Sequence, residues 1–302
     1  MKKSTKIAIP AIGLGLAFFT EEMYRQVFCR KSSTLLTLLS HSKGHNEPYY
    51  EYKKMAIEKF REIPCEKYTI NSQRGEKLSG FYYPNGSDGK KIVFIIHGYR
   101  SEHMDTASMY YDYYHSRGID MFCCDHTAHG ESEGKFIGLD YFESRDCLHW
   151  IDFLKDKFGQ DIEIILHGFS MGGATVLQMS GDCPDNVKFI VSDSGYKDPD
   201  SSIKAQSGIM YQPLRLINKI FAGYDVEDID VTRSLSRSTK PILFVHGEDD
   251  KLVPFETGKK LYEMYQGEKD CLFTAGTKHV ETIYTYPEEY AAKLDSFIEK
   301  YM

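Results

Sequence analysis

A serine flanked by glycines follows an apolar run near the middle of the chain. Residues 168–172 (GFSMG) match the pattern Gly-x-Ser-x-Gly and come directly after the apolar residues 162–166. In such an elbow the glycines permit a sharp strand-to-helix turn, and the helix N-terminus favours developing negative charge. A serine hydroxyl also needs a base to take its proton and a carboxylate to orient that base. The motif therefore predicts Ser170 as a nucleophile, with a histidine and an acid supplied from elsewhere.

The order of residues along the chain narrows the choice of base and acid. In hydrolases that carry this motif, the nucleophile is followed by an acid and then by a histidine, each after a later strand. His279 is the only histidine after position 246, so it is the predicted general base. Glu248, Asp249 and Asp250 follow the apolar run 242–245 and are all candidates for the acid. Asp193, at the end of another apolar run, is a further candidate.

Acyl transfer also requires donors aimed at the oxyanion. The usual donors are the backbone N–H after the nucleophile and one N–H from the loop after the third strand. These positions are occupied by Met171 and by Tyr99, which ends the segment HGY at 97–99. We therefore predict an oxyanion hole formed by Tyr99 and Met171, with His97 in a structural role.

Eight short apolar runs alternate with helical patterns and must position these residues. The predicted strands are residues 67–70, 78–83, 92–96, 119–124, 162–166, 187–191, 242–245 and 270–273. Helical patterns are predicted over residues 33–60, 105–117, 141–158, 172–180, 256–265 and 287–301. Such alternation is typical of an α/β protein whose mostly parallel sheet is covered on both faces.

The segment between residues 195 and 240 is too long for an ordinary connection, which has about 2 to 6 residues. It is predicted to be a small helical cap. Its apolar residues are expected to form the cap's own core, with an acyl pocket as the alternative. They are Tyr196, Ile209, Met210, Tyr211, Leu214, Leu216, Ile217, Ile220 and Phe221.

The N-terminus has a targeting pattern, in which three lysines precede an apolar stretch that begins at Ile7 and ends at Phe19. This stretch is shorter than the ~20 residues that span a bilayer. We expect residues 1–31 to be an uncleaved segment that anchors the protein to a membrane. A cleaved signal of a secreted protein and a core-packed helix of a cytoplasmic protein are the alternatives. Residues 32–65 are predicted to be a helical lead-in and residues 66–302 the catalytic domain.

Charge and cysteines exclude several other classes of protein. The net charge of −7 gives no broad basic surface, so no nucleic-acid partner is predicted. The seven cysteines form no CxxC pair or zinc spacing and have an odd total, which fits reduced thiols. Neither a cofactor nor a metal is expected, and the oligomeric state is left open.

Several motifs in order resemble those of the α/β-hydrolase family over about residues 66–302. They are HGY (97–99), DHTAHGES (125–132), GFSMGG (168–173), HGEDDKLVP (246–254) and the late histidine. Residues 126–128 depart from the usual DxRGHGxS pattern. The resemblance implies an α/β-hydrolase fold with an eight-stranded, mostly parallel sheet, flanking helices and a small helical cap. In the pattern HGxxDxxVP the acid lies three residues before the valine, which selects Asp250.

The chain also resembles bacterial hydrolases grouped as serine aminopeptidase-like and lysophospholipase-like proteins, often with an N-terminal hydrophobic segment. The resemblance implies a carboxylesterase-like serine hydrolase that cleaves small-molecule acyl esters or thioesters through an acyl-enzyme. A serine at the elbow, where some relatives carry aspartate, disfavours dehalogenase and epoxide hydrolase chemistry. A serine peptidase and a non-catalytic ligand-binding scaffold are the alternatives.

Overall fold

The computed structural model describes residues 5–32, 47–86 and 89–302, and a single sheet forms the centre of this part of the chain. Its strands are β1 (Glu66–Asn71), β2 (Lys77–Tyr83), β3 (Lys91–Ile96), β4 (Asp120–Cys124), β5 (Glu163–Phe169), β6 (Val187–Asp193), β7 (Ile242–Gly247) and β8 (Lys269–Thr274). Across the sheet their order is β1-β2-β4-β3-β5-β6-β7-β8. β2 pairs antiparallel with both β1 and β4, and all other pairs are parallel. The predicted eight-stranded, mostly parallel sheet is confirmed within the described residues.

Continuous apolar sequence explains the central strands. Every residue of β3 after Lys91 is buried, and so is every residue of β7. Strands buried on both faces need apolar side chains at successive positions, because helices cover the two sides of a parallel sheet. One apolar cluster includes Trp150 and Phe122, and a second includes Tyr110 and Phe189.

The α-helices predicted over residues 105–117, 141–158, 172–180, 256–265 and 287–301 are found with their ends shifted by at most two residues, and the described part of the chain contains eleven α-helices. They are α1 (Thr5–Phe28), α2 (Glu47–Phe60), α3 (His103–His115), α4 (Glu143–Phe158), α5 (Met171–Met179), α6 (Asp200–Ser207), α7 (Tyr211–Phe221), α8 (Val231–Leu235), α9 (Phe255–Met264), α10 (Thr282–Thr285) and α11 (Pro287–Tyr301). The short α10 was not predicted, because a single turn carries no helical periodicity. Of the helix predicted over residues 33–60, the part at 33–46 lies outside the described residues.

The cap segment, residues 195–240, contains α6, α7 and α8. Tyr211, Leu214 and Val226 of the cap segment are buried in an apolar cluster that also contains Phe28 of α1 and Met171 of α5, so these side chains do not form a core of the cap alone. Leu216, on the other side of α7, remains exposed. The cap segment therefore buries one face of its amphipathic helix and leaves the opposite face open.

The N-terminal helix α1 continues well beyond the apolar stretch that the sequence marks. Its C-terminal half is packed on the domain, with Tyr24 and Phe28 buried in the same cluster as the cap residue Leu214. None of the helices in the described residues is long and apolar enough to span a membrane. The described part of α1 thus contains a core-packed surface, which was one of the alternatives for this segment.

The strand directions determine where polar residues meet. β5, β6, β7 and β8 are parallel neighbours, so their carboxyl ends lie at one edge of the sheet. Ser170 follows β5, Asp193 ends β6, Asp250 follows β7 and His279 follows β8. In open α/β sheets such an edge is the usual place for a ligand site.

Candidate active site

Ser170 occupies a strained turn between β5 and α5. Its φ and ψ are 54° and −115°, outside the regions that residues with a Cβ ordinarily populate. Its N–H donates to the carbonyl oxygen of Asp193 over 2.8 Å, which fixes the turn against β6. A Cβ on Gly168 would lie 2.0 Å from the oxygen of Gly172, and one on Gly172 would lie 2.0 Å from that of Ile96. Both glycines of the motif are therefore required by close backbone approach.

A chain of two hydrogen bonds joins the serine, the histidine and one aspartate. Oγ of Ser170 lies 2.8 Å from Nε2 of His279, and Nδ1 of His279 lies 2.6 Å from Oδ2 of Asp250. Asp250 and His279 are buried, whereas Ser170 is partly accessible. This arrangement can accept a proton from the serine and stabilise the resulting imidazolium.

Asp250 is held as a carboxylate by several donors. Burial alone would raise its pKa, but hydrogen bonds from His246, from His279 and from the backbone of Val253 lower the pKa well below its usual value. Oδ1 accepts the N–H groups of Leu252 and Val253 over 2.8 and 2.9 Å. Sequence reasoning gave no role to His246, whose Nε2 lies 3.4 Å from Oδ2 of Asp250. The only feature of the sequence that could have indicated this contact is the position of His246 four residues before Asp250.

The other acidic candidates lie elsewhere. The carboxylate of Asp193 accepts the hydroxyls of Ser194 and Tyr290 over 2.8 and 3.1 Å, and burial raises its pKa to about 6. Glu248 and Asp249 are exposed. Of the four sequence candidates, only Asp250 is hydrogen-bonded to His279 in the described residues.

The two predicted oxyanion donors flank Ser170. Met171 is the first residue of α5, and the first N–H groups of a helix have no intrahelical acceptor. A Cβ on Gly98 would lie only 3.3 Å from Cβ of Ser170, so Tyr99 follows a residue in close contact with the serine. Met171 and Gly98, the residue before Tyr99, thus lie beside Ser170, and the oxyanion hole formed by Tyr99 and Met171 stays a prediction.

Histidines of the neighbouring loops hold the segment around Tyr99. Nε2 of His97 accepts the N–H of His126 over 3.0 Å, and its Nδ1 lies 2.8 Å from the carbonyl oxygen of Gly98. Nε2 of His129 accepts the N–H of Arg100 over 3.1 Å. Burial lowers the pKa of His97, which keeps the ring neutral and able to accept. These contacts give His97 the structural role that the sequence predicts.

An apolar cavity of about 460 Å³ opens beside Ser170. Its lining includes the apolar residues Met23, Val27, Leu139, Pro199, Ile203, Leu252 and Val253. Of the cap residues proposed for an acyl pocket, Tyr196 lines this cavity. The contribution of α1 was not predicted, although the spacing of Met23 and Val27 places them on one helix face.

Two thiols and an imidazole come together away from the hydrogen-bonded chain. Ligand atoms of Cys124, His126 and Cys147 lie within 4.8 Å of one another in the buried core. Such a set could hold a soft metal ion. The chemistry available to Ser170, His279 and Asp250 uses none of these groups.

Comparisons with known proteins point to hydrolases. A sequence model of the family described as serine aminopeptidase, S33, matches residues 87–238, just over half of the chain. The uncharacterized protein YqkD of Bacillus subtilis is 25% identical over 252 residues, which cover 80% of this chain and 82% of that protein. Monoglyceride lipase of Mus musculus is 29% identical over 130 residues, which cover 41% of this chain and 40% of that enzyme.

Among solved structures, the chain is similar to an esterase of Pyrococcus furiosus. The TM-score is 0.64 at 24% sequence identity, and the match covers 86% of this chain and 96% of the esterase. At this identity the likeness shows a shared fold.

Proposed function

Because the chain belongs to the serine aminopeptidase S33 family and has an α/β-hydrolase fold, we propose that it is a serine hydrolase of small carboxylic esters or thioesters. The catalytic residues are Ser170, His279 and Asp250. The observation that carries the proposal is the pair of hydrogen bonds, 2.8 and 2.6 Å long, that joins these residues at the mouth of an apolar cavity.

The reaction begins with attack of Oγ of Ser170 on the acyl carbon. Nε2 of His279 takes the hydroxyl proton as the new C–O bond forms, and Asp250 stabilises the imidazolium. The negative charge moves to the former carbonyl oxygen, where the N–H groups of Met171 and Tyr99 donate to it. Collapse of this intermediate breaks the bond to the leaving group, which receives the proton from His279. An acyl-enzyme on Ser170 remains.

Water completes the cycle by the same path. His279 takes a proton from water as the oxygen attacks the acyl carbon, and it returns the proton to Oγ of Ser170 as the acid leaves.

Peptide hydrolysis is the second candidate, because the matching family is described as serine aminopeptidases. An aminopeptidase must hold the charged α-amino group of its substrate, and an ammonium group is costly to bury without an acidic partner. Among the described residues that line the cavity beside Ser170, none is acidic. This lining favours an ester with an apolar acyl group.

The test is hydrolysis of a p-nitrophenyl ester series, from acetate to palmitate, by the full-length protein and by Ser170→Ala. We expect turnover by the wild type and its loss in the variant, together with labelling of Ser170 by a fluorophosphonate probe. A wild type that hydrolyses no ester and is not labelled would refute the proposal and favour a ligand-binding scaffold. Cleavage of aminoacyl p-nitroanilides in preference to esters would favour the peptidase.

A further inference from the structure

The cavity beside Ser170 has one wall made by the N-terminal helix. Met23, Gln26 and Val27 of α1 line it together with residues from the loop after β7 and from the cap segment. Met23 and Val27 are four residues apart, so their side chains lie one above the other on a single helix face. This wall lies outside residues 87–238, which the family model matches.

A neighbouring face of α1 is fixed to the domain. Thr20, Tyr24 and Phe28 recur every fourth residue and are all buried. Tyr24 packs near Asn218 of α7, with 3.5 Å between its hydroxyl and Oδ1 of the asparagine. The wall formed by Met23 is therefore attached to a packed stripe, and it cannot move without exposing apolar surface.

The C-terminal end of α1 is also held by the loop that contains Tyr99. The hydroxyl of Tyr99 lies 2.8 Å from the carbonyl oxygen of Gln26 and 3.0 Å from that of Val27. The guanidinium group of Arg100 lies 2.8 Å from the carbonyl oxygens of Gln26 and Cys29. The last carbonyl groups of a helix find no hydrogen-bond donor within the helix, so a hydroxyl and a cation at this position provide the hydrogen-bond donors that these carbonyl oxygens need. The loop next to Ser170 and the end of α1 thus form one hydrogen-bonded unit.

We propose that α1 is part of the acyl-binding site and that Met23 and Val27 set the length of acyl chain the enzyme accepts. The proposal rests on the function proposed above, and it names the substrate class as esters of aliphatic acids. An acyl group attached to Ser170 extends into the cavity, where its methylene groups contact Met23 and Val27. A larger side chain at either position leaves room for a shorter acyl chain only, and a smaller side chain leaves room for a longer acyl chain.

The experiment measures kcat/KM over the p-nitrophenyl series from acetate to palmitate with the full-length protein. Met23→Trp and Val27→Trp fill the cavity, whereas Met23→Ala enlarges it. Glu21→Trp is the matched control, because Glu21 lies on an exposed face of α1, where its side chain is 61% accessible. Thermal midpoints of all four variants establish that the helix remains packed.

For the filling variants we expect the ratio of kcat/KM on the longest acyl groups that the wild type prefers to kcat/KM on acetate to fall by about tenfold or more. The preferred length moves to shorter chains in these variants and to longer chains in Met23→Ala. Glu21→Trp keeps the wild-type profile. An unchanged profile in Met23→Trp, Val27→Trp and Met23→Ala, with ester turnover intact, overturns the inference and leaves the proposed function standing.

A second measurement separates the two proposals when turnover is absent. Binding of fatty acids of increasing length is titrated against Ser170→Ala with and without Val27→Trp. If the double variant with Val27→Trp no longer binds long fatty acids, the result supports a role of α1 in acyl binding. This conclusion does not depend on whether Ser170 is a nucleophile. Equal binding by both proteins, or no binding by either, overturns it.

Discussion

Oδ2 of Asp250 lies 2.6 Å from Nδ1 of His279, whereas the carboxylate of Asp193 is bound by Ser194 and Tyr290. Asp193 ends β6 and Asp250 follows the neighbouring parallel strand β7, and both aspartates are buried. Their environments push their pKa values in opposite directions. Burial raises that of Asp193 to about 6, while hydrogen bonds from His246 and His279 overcome burial and lower that of Asp250. Asp250 is thus the carboxylate suited to orient and charge-stabilise the histidine.

Replacing Asp250 by asparagine is expected to lower kcat on the preferred ester by about ten-thousandfold, because the amide favours the wrong tautomer of His279. The exposed neighbour Asp249 is the matched control, and Asp249→Asn is expected to stay within about twofold of wild type. Steady-state kinetics on both variants, with circular dichroism to establish folding, measure the difference. Equal losses in the two variants would count against the assignment of the acid.

Gly172→Ala is expected to destabilise the protein by about 3 kcal/mol or more, because the new Cβ would lie 2.0 Å from the carbonyl oxygen of Ile96. Gly118→Ala is the comparison. A Cβ there meets nothing within 4 Å, and the only cost is the left-handed φ of 72°, about 1 kcal/mol. Urea unfolding monitored by fluorescence gives both values. A Gly172→Ala protein as stable as Gly118→Ala would contradict the close approach at the elbow.

Arg100→Met is expected to reduce stability by about 1.5–3 kcal/mol, because charged donors to the carbonyl oxygens at the end of α1 are lost. Arg145→Met removes an exposed arginine that, among the described residues, contacts only its sequence neighbourhood, through a hydrogen bond to the carbonyl oxygen of Tyr141 and a cation–π contact with the Tyr141 ring, and it should cost less than about 1 kcal/mol. The free energies of unfolding in urea test this. Equal stability of the two variants would show that the hydrogen bonds from Arg100 to the end of α1 do not stabilise the protein.

The raised pKa of the buried Asp140 carboxyl predicts that the stability of the protein falls as the pH rises from about 4 to about 8. Burial raises its pKa to about 8, against the opposing hydrogen bond from Thr175. Since the folded state binds the proton more tightly than the unfolded state, the stabilisation is fully present below the unfolded pKa near 4 and is lost as the pH rises through about 8. Asp140→Asn, which cannot ionise, should lose less stability across that interval.

Thermal midpoints measured between pH 5 and about 9 compare wild type with Asp140→Asn. Some dependence on pH is expected to remain, because burial also raises the pKa of Asp146 to about 7. The exposed Asp249→Asn should follow the wild-type curve. A wild-type curve that is not steeper than that of Asp140→Asn would show that Asp140 does not ionise in this interval.

Local sequence was sufficient for much of the fold and for two residues of the site. Strands such as β3 and β7 are continuous apolar runs, and Ser170 lies in a five-residue motif in which the backbone of Gly172 closely approaches Gly168. His279 followed from chain order, because parallel strands bring their carboxyl ends to one edge. These features depend on the periodicity of apolar residues and on the order of motifs along the chain, and both can be read from the sequence.

Tertiary structure decided which groups touch. Sequence order left Asp193, Glu248, Asp249 and Asp250 as possible acids, the family resemblance selected Asp250, and the bond to His279 supports that choice. The wall that α1 contributes to the cavity was missed, and a membrane anchor was predicted for the segment that contains it. The bonds from Arg100 to α1 join residues more than 70 positions apart. Periodicity shows which face of a helix is apolar, but only the packed chain determines what covers that face.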